Sequence, residues 1–175
     1  MDEVFYHEPV LLNEVTEYLL RSTKGSESAP GGKRVYVDCT LGGGGYTKKI
    51  LDFSPEDTIV IAVDRDVYAV EHSKKVLSEY GNKVIFMQRN FGDIKSIVKD
   101  AGFESVNGIV MDLGLSTYQL SYEDGFSYQA DTPLDMRADK SQKLTAGDIL
   151  THRNISVPVP KRAARQPRLL HPLHW

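Results

Sequence analysis

Four consecutive glycines, Gly42 to Gly45, follow the run Val35-Tyr36-Val37-Asp38-Cys39-Thr40-Leu41 and lead into Tyr46-Thr47-Lys48-Lys49-Ile50-Leu51. Glycine reaches positive φ without strain and lets the main chain approach a ligand with no Cβ in the way, while the start of a following helix offers unpaired N–H groups. Asp64 stands 22 residues after Gly42, closing the apolar run Thr58-Ile59-Val60-Ile61-Ala62-Val63. A carboxylate at the carboxyl end of a second strand can accept hydrogen bonds from both ribose hydroxyls of an adenosine. Phe91, just past a third apolar run, has the position of an adenine neighbour and equally that of a core aromatic. Asp66 suits a different task, capping a helix that begins near Val67. The chemistry these positions suggest is the binding of an adenosine-containing cofactor.

The spacing also narrows which cofactor. A dinucleotide fingerprint requires Gly-x-Gly-x-x-Gly, and Thr47 stands where the third glycine belongs. A nicotinamide-dependent oxidoreductase is therefore disfavoured, and the absence of Gly-Lys-Ser/Thr excludes a P-loop. S-adenosylmethionine, which carries adenosine but no phosphate, fits better.

The elements that must position these residues can be read from hydrophobic patterning. Leu11, Leu12, Val15, Tyr18 and Leu19 follow helical spacing behind Pro9, and residues 22–32 read as a loop. Strands are expected at 35–40, 58–63, 83–88 and 106–114, with helices after the glycines, from Val67 to Tyr80 with Val70, Val76 and Leu77 inward, and at 94–99. Continuous rather than alternating apolar strands indicate a parallel sheet covered on both faces, with a ligand crevice at the carboxyl ends of its strands.

Composition sets the frame. At 175 residues and 41% hydrophobic content the chain can bury a real core, and no apolar run approaches the roughly 20 residues that span a bilayer. The acidic start Met1-Asp2-Glu3 is unlike a signal peptide, so a cytoplasmic location is expected. Cys39, the only cysteine, cannot form an internal disulfide, and it reads as a small buried residue with no metal role. Residues 1–150 carry 16 Lys and Arg against 24 Asp and Glu, a net charge of -8. Residues 151–175 hold five basic and no acidic residues, with prolines at 158, 160, 167 and 172, and read as a basic, irregular tail.

The exit of the fourth strand, Asp112-Leu113-Gly114-Leu115-Ser116-Thr117-Tyr118-Gln119-Leu120, completes a set of motifs. With His7-Glu8-Pro9-Val10-Leu11-Leu12, the glycine stretch, Asp64-Arg65-Asp66, Gly125-Phe126-Ser127 and Pro133-Leu134-Asp135-Met136-Arg137, it resembles the MraW/RsmH family over residues 5–150. That resemblance implies an α/β, Rossmann-like class I methyltransferase fold with an open, mostly parallel sheet in the order 3-2-1-4, truncated after the fourth strand. It implies methyl transfer from S-adenosylmethionine to N4 of a cytidine in the decoding region of small-subunit ribosomal RNA. It places cofactor contacts at Gly44, Gly45, Tyr46, Asp64, Phe91, Asp112 and Gln119. Two positions depart from the family pattern: Tyr46 stands for the usual His and Thr117 for a second Ser.

The amine of cytosine is a weak nucleophile because its lone pair is delocalised into the ring. An acceptor must turn that lone pair toward the sulfonium methyl and tolerate the positive charge that develops. Asp112 and Ser116 are candidates, although Asp112 can instead hold the methionine part of the cofactor and Ser116 cap a turn. Tyr118, Phe126 or Tyr128 can receive an unstacked base or serve the core. No metal is required. The expected organisation is an incomplete cofactor domain at 1–143, the start of an inserted helical domain at 144–150 and the divergent tail at 151–175. With a bare fourth strand, weakened cofactor binding and little methyl transfer are expected; a non-catalytic cofactor-binding or RNA-associated remnant is the alternative.

Overall fold

The computed structural model describes residues 9–22, 32–114, 125–126 and 131–151. Four strands, β1 (Arg34–Asp38), β2 (Thr58–Asp64), β3 (Val84–Gln88) and β4 (Gly108–Val110), form one sheet in the order β3-β2-β1-β4. All three pairings are parallel, with Val37 opposite Ile61 on one side and opposite Ile109 on the other. Both the α/β class and the expected strand order are as the sequence indicated.

Both faces of the sheet are covered, which explains the unbroken apolar runs. On one face, Tyr36, Val60 and Val110 pack against Tyr46 and Ile50 of α2 (Gly45–Phe53) and Val70 of α3 (Val67–Val76). Leu12, Val15, Leu19 and Leu20 of α1 (Leu12–Ser22) cover the same cluster, and a Cβ at Gly108 would lie 2.6 Å from Leu19, so glycine there lets α1 approach β4. On the other face, Val35, Val37, Ile61 and Val63 pack on Ile97 and Val98 of α4 (Ile94–Asp100).

Two expectations need correction. α3 ends at Val76, which is exposed, while Leu77 is buried behind it. A 3-10 segment, Ser78–Lys83, broken by positive φ at Gly81, replaces the expected continuation to Tyr80. The fourth strand is ladder-bonded only over Gly108–Val110, because β1 has no further residues to pair with 111–114. A short helix, α5 (Ala146–Thr151), stands near the expected start of a helical segment.

Candidate functional site: a carboxylate-lined crevice

Connections from β1 run toward β2 and β3 on one side and return to β4 on the other, so the carboxyl ends of β1 and β4 flank a topological switch point. Open α/β sheets bind ligands in the crevice at that point. Three of the four strands carry an aspartate at or just beyond this end: Asp38 on β1, Asp64 on β2 and Asp112 two residues past β4.

Asp38 is fully buried. Its Oδ2 accepts from the Thr47 hydroxyl at 2.8 Å and its Oδ1 from the Thr40 N–H at 3.2 Å, with the Thr47 N–H contributing as well. Burial pushes its pKa up to about 6 against these hydrogen bonds, and the nearby Asp64 charge adds to the rise. The Asp38 carboxylate therefore occupies the N-terminal turn of α2, the place where a dinucleotide fold seats pyrophosphate. Sequence reading treated Asp38 only as part of a strand, although it stands at its strand's end as Asp64 does. The neighbouring Cys39 is buried, and burial followed by the Asp38 charge raises its thiol pKa to about 11, so it is not a nucleophile at neutral pH.

Asp64 and the glycine loop are joined directly by a hydrogen bond. The Gly42 N–H donates to Asp64 Oδ2 at 2.9 Å and the Asp66 N–H to Asp64 Oδ1 at 3.0 Å. Burial raises the Asp64 pKa, and the N–H bonds work against that rise. The Arg65 N–H contributes as well, and because a carboxylate has about four acceptor sites, capacity remains for a further donor. Asp66 caps α3, accepting from the Tyr68 N–H at 2.8 Å, as expected. Ser73 of α3, which no local pattern in the sequence singles out, donates to the Gly42 carbonyl at 2.8 Å and ties the loop to that helix.

The glycines serve the packing of the loop itself. Gly44, the N-cap of α2, has φ +87°, and a Cβ there would lie 3.1 Å from Leu77 and 3.3 Å from the Ser73 hydroxyl. A Cβ at Gly45 would sit 2.7 Å from Pro9. Replacing Gly44 by alanine is expected to cost about 1–2 kcal/mol from the left-handed backbone alone. Denaturant unfolding of the variant checks this, and an unchanged midpoint would contradict it.

Tyr46 is buried, and its hydroxyl donates to the Val10 carbonyl at 2.6 Å. Burial raises its pKa, with the charges of Asp112, Asp38 and Glu14 adding to the effect. The phenol thus joins the start of α2 to the segment before α1, a contact across 36 residues that no sequence period reveals. Phe91 is half-buried against the α4-side core, and the Arg89 N–H donates to the Asp64 carbonyl at 2.9 Å, which brings the exit of β3 beside Asp64. Asp112 is exposed, and its N–H donates to Thr40 Oγ1 at 2.8 Å. Ser116, Gln119, Thr117, Tyr118 and Tyr128 lie outside the described residues.

Downstream, two sequence motifs pack on each other. Gly125, with φ +86°, leaves no room for a Cβ, which would fall 2.7 Å from the Asp135 nitrogen and 2.8 Å from the Pro133 carbonyl. Arg137 grips both carboxylate oxygens of Asp135, at 2.6 and 3.1 Å, and donates to the carbonyls of Lys140 and Gln142. The Arg137 pairing, with Lys140 beside it, holds the Asp135 pKa well below the usual carboxylate range. Phe126 is buried with the Lys140 ammonium 5.7 Å from its ring centroid, which makes it a packed residue rather than an open platform for a base.

A groove of about 720 Å³ runs along the outer flank of α4 and β4, lined by residues including Val98, Phe103 and Ile109, and contains none of the candidate site residues. Among the described residues there is no His, Cys, Asp and Glu cluster able to hold a metal ion, and no helix is long and apolar enough to cross a membrane.

The parallel sheet in the order β3-β2-β1-β4, with helices on both faces and a glycine turn after β1, defines a Rossmann-like α/β domain. The sequence profile of the MraW methylase family matches residues 4–157. The chain is 42% identical over 147 residues to the ribosomal RNA small subunit methyltransferase H of Natranaerobius thermophilus, an alignment covering 83% of this chain and 44% of that protein. This chain belongs to the MraW methylase family. It spans less than half the length of that relative. A Clostridium thermocellum chain described as a putative rRNA-methylase superposes with a TM-score of 0.34 at 20% identity, over 45% of this chain and 43% of that one.

Proposed function

We propose that this chain binds S-adenosylmethionine in the crevice at the carboxyl ends of β1, β2 and β4 and belongs to an enzyme that methylates N4 of a cytidine in the decoding region of small-subunit ribosomal RNA. The observation that carries the cofactor reading is the set of aspartates at the carboxyl ends of β1, β2 and β4. Asp38 fills the helix N-terminus that a phosphate would need, and Asp64 stands close enough to raise its pKa. A polyphosphate ligand meets repulsion there, whereas the sulfonium and ammonium of S-adenosylmethionine are cations.

In this reading Asp64 accepts from the ribose, Phe91 flanks the adenine, and the main chain at Gly44 and Gly45 approaches the methionine part. Tyr46 supports the loop by its bond to Val10. Bound S-adenosylmethionine supplies an electrophilic methyl group. Asp112 contacts the methionine end of the cofactor and, with Ser116, orients the cytosine amine and stabilises the positive charge that develops on it, and Gln119 completes the cofactor contacts. Positioning of this kind can supply roughly 7–11 kcal/mol of a bimolecular barrier. Small-subunit ribosomal RNA as substrate implies a cytoplasmic setting.

The test is incubation of the chain with methyl-labelled S-adenosylmethionine and small ribosomal subunits, followed by nucleoside analysis. Label in N4-methylcytidine supports the full reading. Label on another nucleoside overturns the assigned target atom. Saturable cofactor binding with no transfer supports the non-catalytic alternative.

A further inference from the structure

The ladder between β1 and β4 ends with Asp38 opposite Val110, and the last main-chain bond there runs from the Cys39 N–H to the Val110 carbonyl at 3.0 Å. Beyond it, Met111, Asp112, Leu113 and Gly114 are all exposed, so packing does not fix their path. The next tie between the two segments is a side chain. Thr40 Oγ1 accepts the Asp112 N–H at 2.8 Å across 72 residues, and the Thr40 N–H is held in turn by Asp38 Oδ1 at 3.2 Å. One threonine thus takes over where strand pairing stops and connects the buried Asp38 hub to the loop that follows β4.

We propose that Thr40 is the positioning residue that holds Asp112 in register with the glycine loop, so that Asp112 reaches the methionine end of the cofactor. This rests on the assignment of S-adenosylmethionine to the crevice. A hydroxyl is required because valine has the shape of threonine but no acceptor, which leaves the Asp112 N–H without its partner and the loop without its anchor. Serine retains the acceptor.

The experiment is calorimetric titration of S-adenosylmethionine into the full chain and its variants Thr40→Val, Thr40→Ser, Asp112→Ala and the Thr40→Val/Asp112→Ala double variant, each checked for folding by thermal unfolding. Thr40→Val is expected to weaken binding about fivefold to tenfold, the size of one lost hydrogen bond, and Thr40→Ser to stay within about twofold of the unmodified chain. If Thr40 acts through Asp112, Thr40→Val changes affinity by less than about twofold once Asp112 is alanine, because the coupled losses do not multiply. A role confined to general stability would instead give independent losses that multiply, and that result overturns the proposal. So does a Thr40→Ser chain as weak as Thr40→Val, or a Thr40→Val chain with unchanged affinity. Should Thr40→Val fail to fold, Thr40→Ala carries the same comparison. No binding by the unmodified chain overturns the cofactor reading and this inference together, whereas normal binding unaffected by Thr40→Val removes only the role of Thr40.

Discussion

Asp64→Ala is expected to weaken S-adenosylmethionine binding by about 100-fold, the size of hydrogen bonds from ribose hydroxyls to a partly buried carboxylate. The same change frees the Gly42 and Asp66 N–H groups that the carboxylate now holds at 2.9 and 3.0 Å. The glycine loop therefore loses an anchor, and the substitution acts on both the ligand and the shape of its site. Asp64→Asn separates the two effects, since its amide oxygen keeps one acceptor while the charge is lost. Calorimetry should rank the unmodified chain above the asparagine variant and that above alanine. Equal affinity in all three would remove Asp64 from the site.

The second large effect is on stability. Asp38 titrates near pH 6 in the fold, against about 3.9 for an unfolded aspartate. Between these values the folded chain holds a proton that the unfolded chain has released, so stability falls as pH rises from about 4 to 6. A shift of this size corresponds to about 2–3 kcal/mol, the contribution being flat below pH 4 and fully lost above pH 6. Asp64 is raised by burial and acts in the same direction. Asp135, lowered by Arg137, acts oppositely and only as pH falls below the range of an ordinary carboxylate. Urea unfolding of the unmodified chain and Asp38→Asn from pH 4 to 7 isolates the Asp38 part as a difference. The stability of Asp38→Asn relative to the unmodified chain should rise as pH increases from 4 to 6, and parallel curves would contradict the buried-carboxylate account.

What the sequence revealed and what it hid follow from the range of the interactions involved. Strands β1 to β3 were legible because a sheet covered on both faces needs unbroken apolar runs such as Thr58-Ile59-Val60-Ile61-Ala62-Val63. The Asp66 cap was legible because capping is a contact over two residues. The place of Asp64 at the end of β2 was legible because the apolar run before it marks the strand, whereas its bond to Gly42 was not anticipated. By contrast, Tyr46 with Val10, Ser73 with Gly42 and Thr40 with Asp112 join residues 31 to 72 apart with no repeating pattern. Val76 failed because it closes α3, next to the point where the chain tightens into a 3-10 segment, and there it stays exposed while Leu77 turns inward. Asp38 was within reach, since the argument from strand ends that found Asp64 applies equally to it.

The central claim is that the aspartate-bearing strand ends at the sheet's switch point take S-adenosylmethionine. Calorimetric titration of the chain with S-adenosylmethionine and, separately, with NAD tests it most directly. Saturable binding of S-adenosylmethionine with no measurable NAD binding is the predicted result. NAD binding of equal or greater affinity, or a folded chain that binds neither, would contradict it.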